Sequence, residues 1–452
     1  MRGDGTDAHI RCHILRLMVG LETLRTTSLT LAKNAHSRML TTLRAWLPVA
    51  MLAVAAFVYN TSEFLPVGLL PDIAEGLNES TSFTGLVITG YAWVVAIASL
   101  PLAIATAKLE RRKLLLSLMG IFAVAHLVMP WVTSFMTLLA ARVMVALAHA
   151  VFWSIMFPLA ARMSPKGQTA KGVASVMAGT VLATVFGVPI GTKLGHWFGW
   201  QEAFAIVGGA AVISGLLIAM VLPESPSRKA GSLASLPVIL KRPALRQLYF
   251  IAAVAMLGNF TVYSYVSPIV TEAAGGSLET VVTLLLVFGL SGFIGTIVNT
   301  RLLEANTSLA VVLPLSFLTL AFLFFLPTAS LPWIHWPLIV LWGASLTGLM
   351  MALNNLVLAA GHDAADISSS MLSGIINVGI GGGAFLGSIL SSAWSFASLP
   401  YAGAILAGGP LLMTLLIWKT TGAAILPYDH EESVRDHGQP LDLESGRAAK
   451  TE

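Results

Sequence analysis

The sequence predicts an all-α polytopic membrane protein with twelve transmembrane helices arranged as two six-helix halves. Three observations predict it. Of 452 residues, 56% are hydrophobic and only 11% charged, with a mean hydropathy of +0.81; soluble domains carry about 25% charged residues. Apolar runs of about 20 residues, the length that crosses a hydrocarbon core, recur along nearly the whole chain. The basic residues, finally, fall in alternate loops.

The spans are expected at 46–70, 84–105, 114–133, 135–160, 171–194, 200–222, 247–271, 280–300, 309–328, 333–359, 367–392 and 401–424. With the first helix entering from the cytoplasm, inner loops hold Lys108, Arg111, Arg112 and Lys113, then Arg162, Lys166 and Lys171. They continue with Arg228, Lys229, Lys241, Arg242 and Arg246, then Arg301, whereas the outer side holds Lys193 alone. This bias places both termini in the cytoplasm. The H-D-A-A-D loop after the tenth span is inside yet acidic, and acids count for little in the rule.

The organisation follows from loop composition. Residues 223–246 carry the proline, serine and charge of a cytoplasmic linker between the bundles 46–222 and 247–424. Residues 1–45 form a basic extension lacking the apolar core of a secretory signal, and translation starting at Met39 would leave a short basic lead into the first helix. Residues 425–452 are acidic and are expected to be a disordered tail. A repeat supports the division. The fifth span carries Gly179, Ala183, Gly187, Gly191 and Gly195 at every fourth position, and the eleventh carries Gly379, Gly383 and Gly387. A shift of 196 positions superposes Ala183, Gly187 and Gly191 on the latter three. Such stripes let helix backbones approach closely, and parallel six-helix repeats are a transporter architecture.

Several function classes are excluded or disfavoured. Cys12 is the single cysteine, so neither an intramolecular disulfide nor a cysteine metal cluster is expected. The net charge of +4 is accounted for by membrane topology rather than nucleic-acid binding. The chain has no G-x-x-x-x-G-K-[ST] loop, no H-E-x-x-H and no G-x-S-x-G, which argues against an ATP-driven pump, a zinc protease or a serine hydrolase. No enzyme activity and no cofactor are expected.

Once loop and helix-end charges are set aside, four ionisable side chains remain within spans: Glu63, His126, Arg142 and His149. An acid facing lipid costs about 3 kcal/mol, so each such group calls for a partner. Arg142 and His149 share a face, two turns apart with Ala146 between them. Glu63 is expected to carry a proton or meet substrate, with a structural ion pair or a snorkelling side chain as the bland alternative. His149 is a coupling candidate as well as an ordinary hydrogen-bonded core residue. His126 has no recognisable partner in the sequence and reads as structural. Pro66 and Pro71 loosen the helix behind Glu63. For a polar solute, Asn60, Tyr263 and Asn377 are the first binding candidates, followed by Tyr91, Trp153 and Asn259. Interhelical hydrogen bonding or interfacial anchoring is the competing role for each.

The segment G-V-P-I-G, Gly187 to Gly191, with Gly179 and Ala183 before it, resembles the antiporter motif of the major facilitator superfamily. R-V-M-V-A, Arg142 to Ala146, resembles its R-x-x-x-G motif, with alanine in the glycine position. A-K-L-E-R-R-K, Ala107 to Lys113, stands at the gating loop but lacks that motif's glycines and aspartate; Glu110 is the acid available there, beside Lys108, Arg111, Arg112 and Lys113. The segments N-T-S-E-F-L-P-V-G-L-L-P, Y-A-W-V-V-A, L-E-R-R-K-L-L, A-H-A-V-F-W-S-I and S-G-I-I-N-V-G-I-G-G-G resemble bacterial sugar-efflux transporters of the SotB type, in the twelve-helix drug:proton antiporter branch. That resemblance runs from about Met39 to Thr420. It implies a monomer in the bacterial inner membrane that exports a small solute in exchange for protons. On the matching positions it assigns Glu63 as the first-helix acid, Arg142 as the fourth-helix arginine, and Gly187 and Pro189 to the antiporter motif. Exporters of drugs, amino acids or nucleosides, and a non-transporting membrane sensor or scaffold, are the alternatives.

Overall fold

The structure, a computed structural model, describes residues 44–226, 241–361 and 365–421. Most of the basic extension, the middle of the linker and the acidic tail lie outside the described residues, as do Cys12 and Met39. Among the described residues there are twelve apolar helices, eleven long enough to span a bilayer and one shorter. They are α1 Arg44–Gly68, α2 Thr81–Ala105, α3 Arg111–Trp131, α4 Phe135–Met163, α5 Lys171–Phe198 and α6 Trp200–Val221. The second six are α7 Pro243–Tyr263, α8 Leu278–Ala305, α9 Leu309–Leu323, α10 Pro332–Ala360, α11 Ile367–Ala393 and α12 Phe396–Ile417. Helices are the solution lipid demands, because each satisfies its own backbone donors and acceptors.

The starts are set by local chemistry. Ser80 before α2 accepts the amide of Phe83, and Ser277 before α8 accepts that of Thr280, each at 3.2 Å. Such caps satisfy donors that a helix start leaves orphaned. Prolines set the interruptions. α1 pauses at Leu69, and a short helix, Leu70–Leu77, resumes with Pro71 in its first turn. α7 was expected to run unbroken to residue 271, but it stops at Tyr263 and resumes only at Val266–Pro268, followed by a wide turn over Ile269–Ala273. Pro268 has no N–H to offer the carbonyl of Ser264, so the ladder opens there. α9 was expected to reach residue 328 and ends at Leu323; Pro327 disfavours helical geometry in the residue before it. In α5 the turn Ala183–Gly187 widens to the π pattern, with the amide of Val188 bonded to the carbonyl of Ala183. That wide turn sits immediately before Pro189, whose ring would otherwise press on the carbonyl four residues back.

Within the first six helices, α2 packs on α4, α3 on α4 and α6, and α5 on α4 and α6; within the second six, α7 packs on α11 and α12, α8 on α10, and α9 on α10 and α12. Between the two sets, α2 lies along α11 and α5 along α8. The small-residue stripes are seams. Methyl groups added at Gly179, Gly187, Gly191 and Gly195 of α5 would strike Ala53, Thr61, Leu65 and Leu69 of α1. Additions at Gly379 and Gly383 of α11 would strike Met256 and Leu257 of α7, and one at Gly387 would strike Tyr265 just beyond its end. α1 therefore stands to α5 as α7 stands to α11. Positions 61 and 261, and 65 and 265, are counterparts in these seams.

Toward the end of the molecule where α1 finishes and α2 begins, a polar latch joins the halves. The Tyr265 hydroxyl donates to the carbonyl of Ala384 at 2.9 Å and approaches that of Ser82 at 3.3 Å. Ser391 donates to the Ser82 hydroxyl at 2.7 Å. Val67, Leu70, Ile88, Ala92 and Val188 of the first half share one apolar core with the second half around this latch.

Candidate functional site

Glu63 lies near the end of α1, yet the helical track continues past it to Leu77 after the pause at Leu69. On its neighbours, Arg142 and His149 are about 10 and 21 Å from the start of α4, and Tyr91 about 15 Å from the start of α2, at 1.5 Å per residue. The cluster is therefore well inside the bilayer-crossing region, and a snorkelling role for Glu63 does not fit its burial, with 11% of the side chain exposed.

Its contacts were only partly foreseeable. Oε2 of Glu63 is 3.7 Å from Nε2 of His149, whose Nδ1 is 2.7 Å from the Tyr91 hydroxyl. Rings of Tyr59, Tyr91 and Trp153 surround the imidazole at centroid distances of 5.5–6.0 Å. With the tyrosine hydroxyl donating to Nδ1, a neutral His149 carries its hydrogen on Nε2 and directs it at the carboxylate. The imidazole thus stands between Glu63, at a contact longer than a hydrogen bond, and the Tyr91 hydroxyl.

Arg142 is fully buried and meets α1 through its backbone. Nη1 donates to the Ser62 carbonyl at 3.0 Å and to the Ser62 hydroxyl at 3.2 Å, and Nη2 donates to the Glu63 carbonyl at 3.2 Å. The cause is Pro66. Its missing N–H leaves the carbonyl of Ser62, four residues back, without a helical partner, and the guanidinium takes that place. Its plane lies 4.2 Å from the Tyr91 ring centre, a cation–π contact. Nε finds no partner among the described residues.

Ser62 and His126 went unnoticed in the sequence as parts of this cluster. The Ser62 hydroxyl is 2.6 Å from Nε2 of His126, and Nδ1 of that ring is 2.8 Å from the Phe122 carbonyl. A serine beside an acid is too common to be read as a site, and 64 residues separate Ser62 from His126.

The candidate binding residues divide. Asn60 donates to the Thr180 carbonyl at 3.1 Å and reaches the Thr184 hydroxyl at 3.4 Å, which ties α1 to the wide turn of α5. Asn259 is fully buried; its oxygen accepts from the Trp342 indole at 2.8 Å, and its Nδ2 has no partner among the described residues. Asn377 donates to the Ser373 carbonyl at 3.0 Å and leaves Oδ1 unpaired among them. Tyr263 sits in an aromatic wall with Phe260, Phe288 and Trp342, and Phe64 of α1 packs against it from the other half. Tyr91 and Trp153 line the His149 cage rather than the aromatic wall. Glu63 and Tyr263 occupy counterpart positions of the two halves, since each stands two residues beyond the seam threonines Thr61 and Thr261.

The loop expected to gate makes its contacts inside the first half. Glu110 caps α3 by accepting the amides of Arg112 at 2.9 Å and Lys113 at 2.8 Å, and it also accepts the amide of Ser225 beyond α6. Partial burial pushes its carboxyl up, but these three amides and the Lys113 charge outweigh that and hold it below the usual carboxylate range. Arg111 donates to the carbonyls of Thr106 at 3.3 Å and Ala107 at 3.0 Å, and Arg112 donates to that of Ala219. Lys108 lies in the turn before the cap.

Comparison with known proteins places this arrangement in a family. The sequence pattern of the Major Facilitator Superfamily matches residues 52–371. The chain belongs to that superfamily of membrane transporters. Among solved structures, a bacterial homologue of the human lysosomal transporter Spinster, inward-facing and unoccupied, has a TM-score of 0.63 at 17% identity, covering 84% of this chain and 96% of that one. The human organic anion transporter MFSD10 (TETRAN) has a TM-score of 0.61 at 16% identity, covering 82% of this chain and 99% of that one. At these identities the likeness is one of fold. The protein is a transporter, not an enzyme.

Proposed function

We propose that the protein is a monomeric exporter of sugars or sugar-like small solutes, driven by inward proton flow through alternating access. Its setting is the bacterial inner membrane, with both termini cytoplasmic, the orientation that the basic loops favour. The observation that carries the reading is the buried Glu63. Its carboxylate is contacted by a titratable imidazole, while Arg142 grips the backbone of the same helix turn. A carboxylate so placed is neutralised by a proton on one side of the membrane and gives it up on the other. Arg142 and His149 set the charge around it. The Oδ1 of Asn377, unpaired among the described residues, suits a hydroxyl of a sugar, with Tyr263, Tyr91, Trp153 and Asn60 as further contacts and Asn259, fully buried here, joining them only in a conformation that exposes it. Gly187 and Pro189, at the wide turn of α5, give the seam with α1 its freedom to slide.

The test is flux in reconstituted vesicles under an imposed pH gradient, with labelled arabinose, isopropyl thiogalactoside, dyes and amino acids as the panel. Sugar efflux that follows the gradient is expected, and Glu63→Gln should abolish it while leaving the protein in the membrane. Gradient-driven transport retained in that variant removes Glu63 from the coupling role. A second reading, export of aromatic or amphiphilic drugs, draws on the wall of Phe64, Phe260, Tyr263, Phe288 and Trp342. Dye efflux without sugar efflux would favour it.

A further inference from the structure

We propose that His126 on α3, acting through Ser62, is the positioning residue that keeps Arg142 seated on the opened turn of α1. The inference rests on the coupling role given above to Glu63 and Arg142.

The argument is one of donors and acceptors. The Phe122 carbonyl can only accept, so Nδ1 of His126 is the protonated nitrogen, bonded at 2.8 Å. Nε2 of the neutral ring is then an acceptor, and the Ser62 hydroxyl supplies its hydrogen at 2.6 Å. That leaves the Ser62 oxygen free to accept from Nη1 of Arg142 at 3.2 Å, the same nitrogen that fills the carbonyl orphaned by Pro66. Each group has one role and the chain closes. In the other neutral tautomer the Phe122 carbonyl would face a lone pair. A charged ring would compete with the guanidinium for one buried oxygen.

Ser62, His126 and Arg142 are each 0% exposed, so in this conformation none of them touches a transported solute. Phe122 stacks on the imidazole at 4.0 Å and the Phe204 ring lies 5.9 Å from it, so the ring cannot swing away without losing both contacts. Three helices thereby meet at one guanidinium: α1 by its broken turn, α3 by the histidine, and α4 by Arg142 itself. Tyr91 then stacks on the fixed guanidinium plane and bonds His149, which faces Glu63. A shift of Arg142 would thus reach the carboxylate through Tyr91 and His149.

The experiment compares gradient-driven flux with solute exchange measured without a gradient, in vesicles holding equal amounts of protein. Ser62→Ala and His126→Leu should each lower gradient-driven flux about tenfold, the scale of an orphaned buried polar group. Exchange, compared at equal amounts of folded protein, should hold near the unaltered value, while the melting temperature falls modestly as a buried polar group loses its partner. The double variant should be no worse than either single one, because both cut the same chain. His126→Gln, whose amide oxygen can still accept from Ser62, should recover flux to within about twofold. Unchanged flux in both single variants, losses that multiply in the double, or exchange falling in step with flux would each overturn the proposal. A structure of Ser62→Ala separates this from the coupling reading. Arg142 displaced from the Ser62 carbonyl supports the positioning role even if the unaltered protein shows no proton-driven flux, and Arg142 unmoved overturns it.

Discussion

At Pro66 the chain gives up one backbone donor, and the Ser62 carbonyl must find its hydrogen bond elsewhere. It finds it in Arg142, which spans the Ser62 carbonyl, the Ser62 hydroxyl and the Glu63 carbonyl with two nitrogens while its flat face rests on Tyr91. A lysine cannot reproduce this, since its ammonium is a point donor without a plane to stack. Arg142→Lys is therefore expected to cut gradient-driven flux about tenfold or more, on the scale of a lost charged hydrogen bond. Immunoblotting of membranes and vesicle flux on the same preparation check this, and flux within twofold of the unaltered protein would show that charge alone suffices. Much of this was legible beforehand. Glu63, Arg142 and His149 stood out because a charge inside an apolar run is costly wherever it occurs. The loosening of the helix at Pro66 was legible too, though not the Ser62 carbonyl that it leaves open. What filled it did not follow, because Ser62 and Arg142 lie 80 positions apart and only the packing of α4 on α1 brings them together.

Among the elements, α5 shows how a pattern of small residues becomes a mechanical part. Its stripe exists because the α1 backbone and side chains run close beneath it, and a side chain on Gly187 would have to displace Thr61. Gly187→Val is expected to destabilise the protein by about 1–3 kcal/mol, the usual cost of overpacking. It should also slow transport, because the wide turn Ala183–Gly187 loses its fit against α1. A thermal melt in detergent and initial flux rates measure the two effects, and a variant with unaltered melting and flux would show the seam to be slack. The stripe was readable from spacing alone, as was its echo in α11. The π turn was not, because it depends on how Pro189 settles against both α1 and α8, where Gly289 would meet Val185 at 2.7 Å if it carried a Cβ. The breaks in α7 and α9 trace to Pro268 and Pro327, yet hydropathy windows run through both because their neighbours remain apolar.

For the whole molecule, the contacts of Tyr265 and Ser391 with Ser82 are polar links between the halves at their end, and the Tyr265–Ala384 bond holds the tyrosine in place from within the second half. These bonds link hydroxyls to carbonyls or to one another, each worth about 1 kcal/mol net. Tyr265→Phe keeps the ring packed near Gly85 and Gly387 while removing the donor. The variant is expected to shift the population toward opening at this end about fivefold, the equivalent of 1 kcal/mol. Labelling rates of a cysteine placed at the buried Ala92, in the core shared by the halves, in a variant lacking Cys12 would report the shift. No change in labelling would mean that the surrounding apolar core holds the end shut without the hydroxyl.

The correspondence between Glu63 and Tyr263 has an electrical consequence. The same station in the two halves holds an ionisable acid in one and a phenol in the other. With Glu63 ionised, it and Arg142 sum to zero; with Glu63 protonated, the first half carries one net positive charge at the site. Membrane voltage does work on a charge and none on a phenol, about 2.3 kcal/mol per elementary charge for each 100 mV crossed. On the proposed coupling role, voltage would bear on the half that holds Glu63, while the other half, built on the same plan, presents an uncharged phenol at that station.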